Sequence, residues 1–223
     1  MSRTSAAKRK RSSEDRKASP KRARGPVRGR GRGKRAEEDK CYEDEKIVLF
    51  WGEQSPLSQW YAKAPFRTAV GEDEGVMVNC AEQAFMLNKA RVFGDGEMEA
   101  KIAKSKTARG QKGLGRKVRN FDDAAWMEVA EDWVYRANLD KFRQDEELRA
   151  LLLATGDKVI AEASPMDKRW GTGLGAWDER CRDPSGAEWK GENLLGKALM
   201  RVRRTLASEA PTAEPAAAAA PDV

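Results

Sequence analysis

Histidine is absent from all 223 residues. That excludes Ser-His-Asp and Cys-His catalysis, histidine metal clusters and the His-Cys-Cys zinc site of nucleobase deaminases. Any acid–base work then falls to Asp, Glu, Lys, Tyr or Cys. Cysteine is scarce: Cys41, Cys80 and Cys181 are scattered, with no C-x-x-C pair. Such thiols suit a reducing compartment and make neither a disulfide framework nor a recognisable metal site. No apolar run approaches the ~20 residues that cross a bilayer, and the N-terminus lacks a signal-peptide apolar core. Neither a metal nor any other cofactor is expected.

What is present is unevenly spread. Residues 1–40 carry 16 Lys/Arg against 5 Asp/Glu, whereas the remainder carries 27 against 31. The net charge of +7 therefore hides a mildly acidic body behind a basic tail. A segment this poor in aromatics and large aliphatics cannot bury enough surface to fold alone, so residues 1–40 are expected to be disordered. Lys8-Arg9-Lys10-Arg11 and Lys21-Arg22-Ala23-Arg24 read as a nuclear-import address. Arg28-Gly29-Arg30-Gly31-Arg32-Gly33 resembles arms that follow nucleic-acid backbones; the plainer alternative is a solubilising tail. Residues 207–223 form a second disordered tail, rich in Ala and Pro, with no readable function.

Residues 41–206 make one domain's worth of chain. Lys46–Trp51, Val76–Asn79 and Lys158–Ala161 read as short strands. Helical patterns follow Asn79 and cover Ala124–Ala137. Another opens at Asp145 as N-cap and stops at Gly156. Leu195, Leu199, Val202 and Leu206 stand at core spacing on a last helix. The expected class is α+β, predominantly helical.

The helix over Asn79–Phe93 has an inverted polarity. At about 100° per residue, Glu82, Met86, Lys89 and Phe93 fall within roughly 60° of one another. Phe85 and Val92 flank them, while Gln83, Asn88 and Arg91 occupy the opposite side, which is expected to face water. Charges on an apolar face are costly unless paired or put to use. Glu82 and Lys89 are about two turns apart, a rise of roughly 10 Å, so both can reach a group lying between them. Two structural readings compete: a capping-box pair of Asn79 with Glu82, and a simple Glu82–Lys89 ion pair. Phe85 and Met86 read as core, as do Trp126 and Trp133, seven apart on one helix; Trp51 and Trp60 are candidates for a pocket wall.

Asp167-x-x-Trp170-Gly171-Thr172-Gly173 offers a carboxylate, a stacking surface and bare backbone within seven residues. It follows no strand–turn–helix fingerprint, so a dinucleotide-binding reading is rejected; a glycine-rich turn with a core tryptophan is the alternative. Gly115-Arg116-Lys117 suits a pyrophosphate or a solvated turn. Asn193 and Gly191 suit anion-binding N–H donors or a helix cap.

Taken in order, these segments resemble the NADAR (YbiA-like) domain family. The resemblance runs through Gly52…Ser55-Pro56-Leu57-Ser58-Gln59-Trp60, Glu82-Gln83-x-Phe85-Met86-x-x-Lys89-Ala90, Gly115-Arg116-Lys117-Val118, Ala137-Asn138-x-x-Lys141-Phe142 and Thr155-Gly156-Asp157. It closes with Glu162-x-Ser164-x-x-Asp167-x-x-Trp170-Gly171-x-Gly173 and Gly191-x-Asn193-x-Leu195-Gly196. It implies an N-glycosidase cleaving a ribose C1–nitrogen bond, with members acting on ribosylamine intermediates of riboflavin synthesis or removing ADP-ribose from guanine in DNA. It also implies catalytic roles for Lys89 and Glu82; from the residues themselves Asp167 is assigned as second carboxylate, and Ser58, Arg116, Trp170, Gly171, Gly173 and Asn193 as substrate contacts. The segment Leu174–Lys190 is longer than in relatives, and reads either as a cover for ligand or as an exposed insertion.

An N-ribosyl bond to an exocyclic amine suits lysine chemistry. The opened sugar is an imine that a neutral amine can capture as a Schiff base, and burial supplies that neutrality by penalising the charged form. With the basic tail, the expectation is a nuclear, monomeric enzyme acting on ADP-ribosylated DNA. The alternatives are a riboflavin-pathway glycosidase and a nonenzymatic module binding ADP-ribose or NAD.

Overall fold

The run Ile47-Val48-Leu49-Phe50 is buried on both sides, as an apolar strand between two packed layers must be. In the computed structural model, which describes residues 41–209, it is β2 (Ile47–Phe50), the middle of a three-stranded sheet. β1 (Tyr42–Glu43) pairs with it antiparallel and β5 (Val159–Glu162) parallel, with Ile47 opposite Val159 and Phe50 opposite Glu162. The alternation of side chains divides β2 between two apolar clusters. Val48, Phe50 and Ile160 face the larger, helical one, and Ile47, Leu49 and Ala161 face a smaller one.

The connection from β2 to β5 holds most of the fold. β3 (Phe66–Val70) and β4 (Asp73–Val78) form an antiparallel hairpin. Five helices follow: α1 (Ala81–Val92), α2 (Gly96–Lys104), α3 (Ala108–Gly115), α4 (Asp123–Gln144) and α5 (Glu146–Ala154). After β5, a loop leads to α6 (Leu194–Ser208), which packs on β5 and α4. Asp95, Thr107, Asp122 and Asp145 cap α2, α3, α4 and α5, each accepting from the backbone N–H three residues on. Gly156, at a φ of +55°, ends α5 as its sequence position suggests. The fold is a mostly helical α+β domain with short strands. No helix among the described residues is long and apolar enough to cross a membrane. The tails 1–40 and 210–223 lie outside the described residues.

Three expectations need correction here. β1, β3, α2 and α3 were not foreseen; each is short or carries little apolar periodicity. α6 runs to Ser208, two residues past the expected boundary at 206. The segment 174–190 is not wholly an exposed insertion. Leu174, Ala176 and Cys181 build the smaller apolar cluster, closing the sheet face opposite the helices.

Candidate active site

α1 lies at the centre of the helical layer, in contact with α2, α3, α4 and β3. The polar side expected to face water is buried instead. Gln83 donates to the Ile102 and Ala103 carbonyls in the last turn of α2. Asn88, 1% exposed, accepts from Gly71 N and donates to the Ala84 carbonyl. These amides tie α1 to its neighbours, while Arg91 reaches Asp73 and Glu99. The capping-box reading also fails. Cys80, not Asn79, is the N-cap, and Asn79 N donates to Gln83 rather than Glu82. That leaves the face carrying Glu82 and Lys89 turned into a cavity.

This cavity, of about 620 Å³, brings Lys89, Glu82, Asp167, Arg116 and Trp170 together. Its apolar wall is Phe85, Met86, Phe121 and Trp126, so three residues read only as core also line the site. Phe93 sits behind, edge-on to Phe121 at 5.2 Å. A second cavity, of about 580 Å³, shares Trp60, Lys112, Arg116, Glu162 and Asp167 with the first and extends to Trp51, Ser58 and Arg109. The two are lobes of one cleft, with the Glu162–Asp167 carboxylates at the neck.

Each functional side chain is held from behind. Glu82 N donates to the Gln59 carbonyl, and Glu82 Oε2 accepts from the Trp60 indole at 3.3 Å. Glu82 Oε1 is buried without a partner. Burial pushes this carboxyl up to about 7, opposed mainly by Lys112 and the Trp60 indole. Glu162, at the end of β5, is likewise raised to about 7 by burial and then by the nearby Asp167 carboxylate. Lys89 is half-buried, its Nζ 3.6 Å from the centre of the Phe121 ring. Burial lowers its pKa, against the opposing pull of Asp123 and Glu82. Among the described residues Glu82 and Lys89 form no direct ion pair, which removes the purely structural pairing.

Asp167 turns one oxygen back to the Arg169 and Trp170 amides and the other toward Lys112 Nζ at 3.7 Å. Trp170 stands edge-on to Phe85 at 5.2 Å. Gly171 and Gly173 do not line the cleft. A Cβ at Gly171 would lie 2.8 Å from the Glu162 carbonyl and 3.0 Å from that of Asp167. Its bareness lets the loop pack under both carboxylates rather than approach a phosphate. Gly173, at a φ of +70°, turns the chain beside Lys190. Asn193 stands at the N-cap position of α6, as one of its two expected roles has it, but without a capping bond from its side chain. Its N–H donates to the Gly171 carbonyl. Buried and left-handed, it clamps β5 through Glu162 N and the Ile160 carbonyl. Ser58 is buried at the edge of the second lobe, its hydroxyl accepting from Trp60 N.

Two residues stand out that residue-by-residue reading passed over. Lys112 is one, on α3 between the lobes. The other is Lys141, 1% exposed on α4, whose ammonium donates to the Pro56 and Ser58 carbonyls at 2.6 and 3.0 Å. Burial brings its pKa down to about 7. With Asn138, which donates to Gln59 Oε1, it fixes the loop presenting Trp60 to Glu82. Lys141 and Asn138 belong to a spaced motif, and spacing alone marks a lysine without saying what it binds.

Comparison with known proteins places this cleft in context. The NADAR domain matches residues 49–207. The chain is 39% identical over 167 residues to N-glycosidase R617 of Acanthamoeba polyphaga mimivirus, covering 72% of this chain and 96% of that protein. It is 41% identical over 129 residues to Protein irg-1 of Caenorhabditis elegans, covering 57% of this chain and 60% of irg-1, less than two thirds of that relative. The NMR structure of Escherichia coli YbiA matches with a TM-score of 0.56 at 26% identity, over 78% of this chain and 92% of that one.

Proposed function

The chain belongs to the NADAR domain family, and from that premise we propose that it is an N-glycosidase hydrolysing a ribose C1–N bond, its substrate being ADP-ribose joined to guanine in DNA. One observation carries the reading: an amine with a lowered pKa and a carboxyl with a raised one, Lys89 and Glu82, share one cavity. A site that raises the pKa of an acid and lowers that of an amine beside it is fitted to Schiff-base chemistry.

In such an adduct C1 bears both the ring oxygen and the exocyclic base nitrogen. The ring C1–O bond breaks, the oxygen takes the Glu82 proton, and the nitrogen lone pair forms an iminium. The Lys89 amine adds to C1. A proton passes from the lysine nitrogen through the Glu82 carboxylate to the base nitrogen. The C1–N bond to the base then breaks with its electron pair on the base, leaving C1 doubly bonded to lysine. Water gives one proton to the Glu162–Asp167 pair as its oxygen adds to C1; that proton passes to the lysine nitrogen, the C1–lysine bond breaks with its electron pair on nitrogen, the hydroxyl proton returns to Glu82 as the aldehyde forms, and the aldehyde recloses to ribose. Lys112 and Arg116 supply the cations for the phosphates.

The test is release of ADP-ribose from an ADP-ribosylated guanine oligonucleotide. Wild type restores plain guanine, borohydride added during turnover traps the sugar on Lys89, and Lys89→Ala abolishes release while unfolding at the wild-type temperature. Full activity in Lys89→Ala overturns the amine mechanism. Faster turnover of a ribosylamino-pyrimidine intermediate of riboflavin synthesis overturns the DNA substrate in favour of that one.

The basic segment 1–40 supports a nuclear location and affinity for the DNA backbone, the enzyme acting as a monomer. Deleting it is expected to weaken DNA binding and flatten its salt dependence, because fewer counterions are released. A salt slope unchanged in the truncated protein rules out the electrostatic arm.

A further inference from the structure

Phe121, just ahead of α4, lays its ring against the Lys89 ammonium, with Nζ 3.6 Å from the ring centre. Two residues on, Asp123 opens α4 and lines the same cavity. Two residues of chain span at most about 7 Å, so the Asp123 carboxylate lies near the amine that Phe121 supports. A carboxylate in that place ordinarily takes the ammonium as its ion-pair partner. Here both of its oxygens are engaged elsewhere. Arg169 Nη1 and Nη2 donate to them at 2.7 and 2.8 Å, a two-pronged pairing. Among the described residues Lys89 pairs with no carboxylate.

Stability does not explain the pair. The Arg169 and Asp123 side chains are 42% and 56% exposed, and an ion pair so open to water adds little. The guanidinium is nevertheless aimed. Arg169 N donates to Asp167 Oδ1, and its carbonyl accepts from Leu194 N, so the loop that presents Asp167 and Trp170 also sets Arg169. The other charges on the cavity wall do not take its place. On α1, Glu82 is raised to about 7 by burial. Glu162 on β5, Asp167 and Lys168 on the following loop, Glu192 ahead of α6, and Lys112 and Arg116 near the end of α3 complete the charged lining. Of the carboxylates, Asp123 pulls most strongly on Lys89, ahead of Glu82. It is also ionised, because Arg169 holds it below the usual carboxylate range.

We propose that Arg169 is a positioning residue for Lys89: by occupying both oxygens of Asp123 it withholds that carboxylate from the ammonium and leaves the amine free to meet a sugar carbon. This deepens the proposed reaction and rests on Lys89 acting there as a nucleophile. Without Arg169 the carboxylate turns to Lys89 and favours the charged form, which cannot attack. Without Asp123 the guanidinium faces Lys89 alone and favours the neutral form. The two substitutions act with opposite sign on one amine. A pair that only ties a loop to a helix has no such signature.

The experiment is an NMR titration of the full chain carrying isotopically labelled lysine, the Lys89 signal being the one absent from Lys89→Arg. Arg169→Gln is expected to raise the Lys89 midpoint by about one pH unit, the low end for an opposite charge because the site is open to water. Asp123→Asn lowers the midpoint, and the double variant returns it close to the wild-type value. Below the midpoint, turnover of the ADP-ribosylated guanine oligonucleotide follows the neutral fraction of Lys89. It is therefore about tenfold slower in Arg169→Gln and recovers in the double variant. Midpoints that move the same way in both single variants, or do not move, overturn the inference. So does a double variant as slow as Arg169→Gln. Where Arg169→Gln unfolds, Asp123→Asn alone carries the sign test: a lowered midpoint supports the inference and an unchanged one overturns it. Opposite shifts in a protein that cleaves no adduct sink the reaction and keep the role of Arg169; cleavage with unmoved midpoints does the reverse.

Discussion

Glu82 concentrates the chemistry of the site in one side chain. One oxygen meets the Trp60 indole and the other is buried without a partner. A buried oxygen without a partner costs free energy that a proton or a ligand donor relieves. The productive enzyme has Glu82 protonated and Lys89 neutral. As pH rises toward 7 the neutral fraction of Lys89 grows and the rate climbs. Past Glu82's pKa of about 7 its proton is progressively lost, so the climb is checked. Glu82→Gln keeps the indole contact but has no proton to give. Its kcat is expected to fall about 10²–10⁴-fold, and its residual rate should keep rising above pH 7. A levelling at pH 7 retained in Glu82→Gln assigns that ionisation elsewhere, with Glu162 next in line. The inversion that put Glu82 and Lys89 on an oily face was legible in the sequence, because a charge there is costly. The role of Glu162 was not: it ends an ordinary apolar strand, and only the fold brings Asp167 and Glu82 near it.

Among the elements, α1 shows where periodicity informs and where it misleads. The apolar stripe identified the helix and the side facing the cavity. The polar stripe did not mean solvent, since Gln83 and Asn88 spend their amides on the α2 carbonyls and on the β3–β4 turn. A buried amide with satisfied partners has the same letter as an exposed one. The same limit hid the loop Ser55–Trp60, whose geometry depends on Lys141 and Asn138 more than 75 residues away. Lys141→Met keeps the volume but leaves the Pro56 and Ser58 carbonyls without their donor. It is expected to cost about 1–3 kcal/mol at pH 8, the desolvation penalty of the unpaired groups. It should also lower kcat more than it raises KM, because Trp60 no longer steadies Glu82. Denaturant titration and steady-state kinetics check both. An intact kcat in the destabilised variant makes Lys141 a scaffold residue without influence on Glu82.

For the whole molecule, a cleft built on buried ionisable groups leaves a mark on stability. Glu82 and Glu162 have folded pKa values of about 7, above the ordinary 4.5, so between these limits the folded state holds more protons than the unfolded one. Their contribution is complete at the acid end and is lost as pH rises through 7. Lys141 acts in the opposite sense. Its folded pKa of about 7 lies below the ordinary 10.5, so above pH 7 the unfolded state holds the extra proton and stability recovers as pH rises. Cys80, pushed up to about 11 from 9 by burial, reverses that gain only above pH 9. Unfolding free energy between pH 5 and 9 is therefore expected to pass through a minimum near 7, each group contributing a slope of up to about 1.4 kcal/mol per pH unit. Lys141→Met should flatten the rise above pH 7 and keep the fall below it, whereas Glu82→Gln should shallow the fall and keep the rise. A wild-type curve that climbs steadily from pH 5 to 7 means the carboxyls are ionised in the folded protein, and with that the acid needed to open the sugar ring is gone.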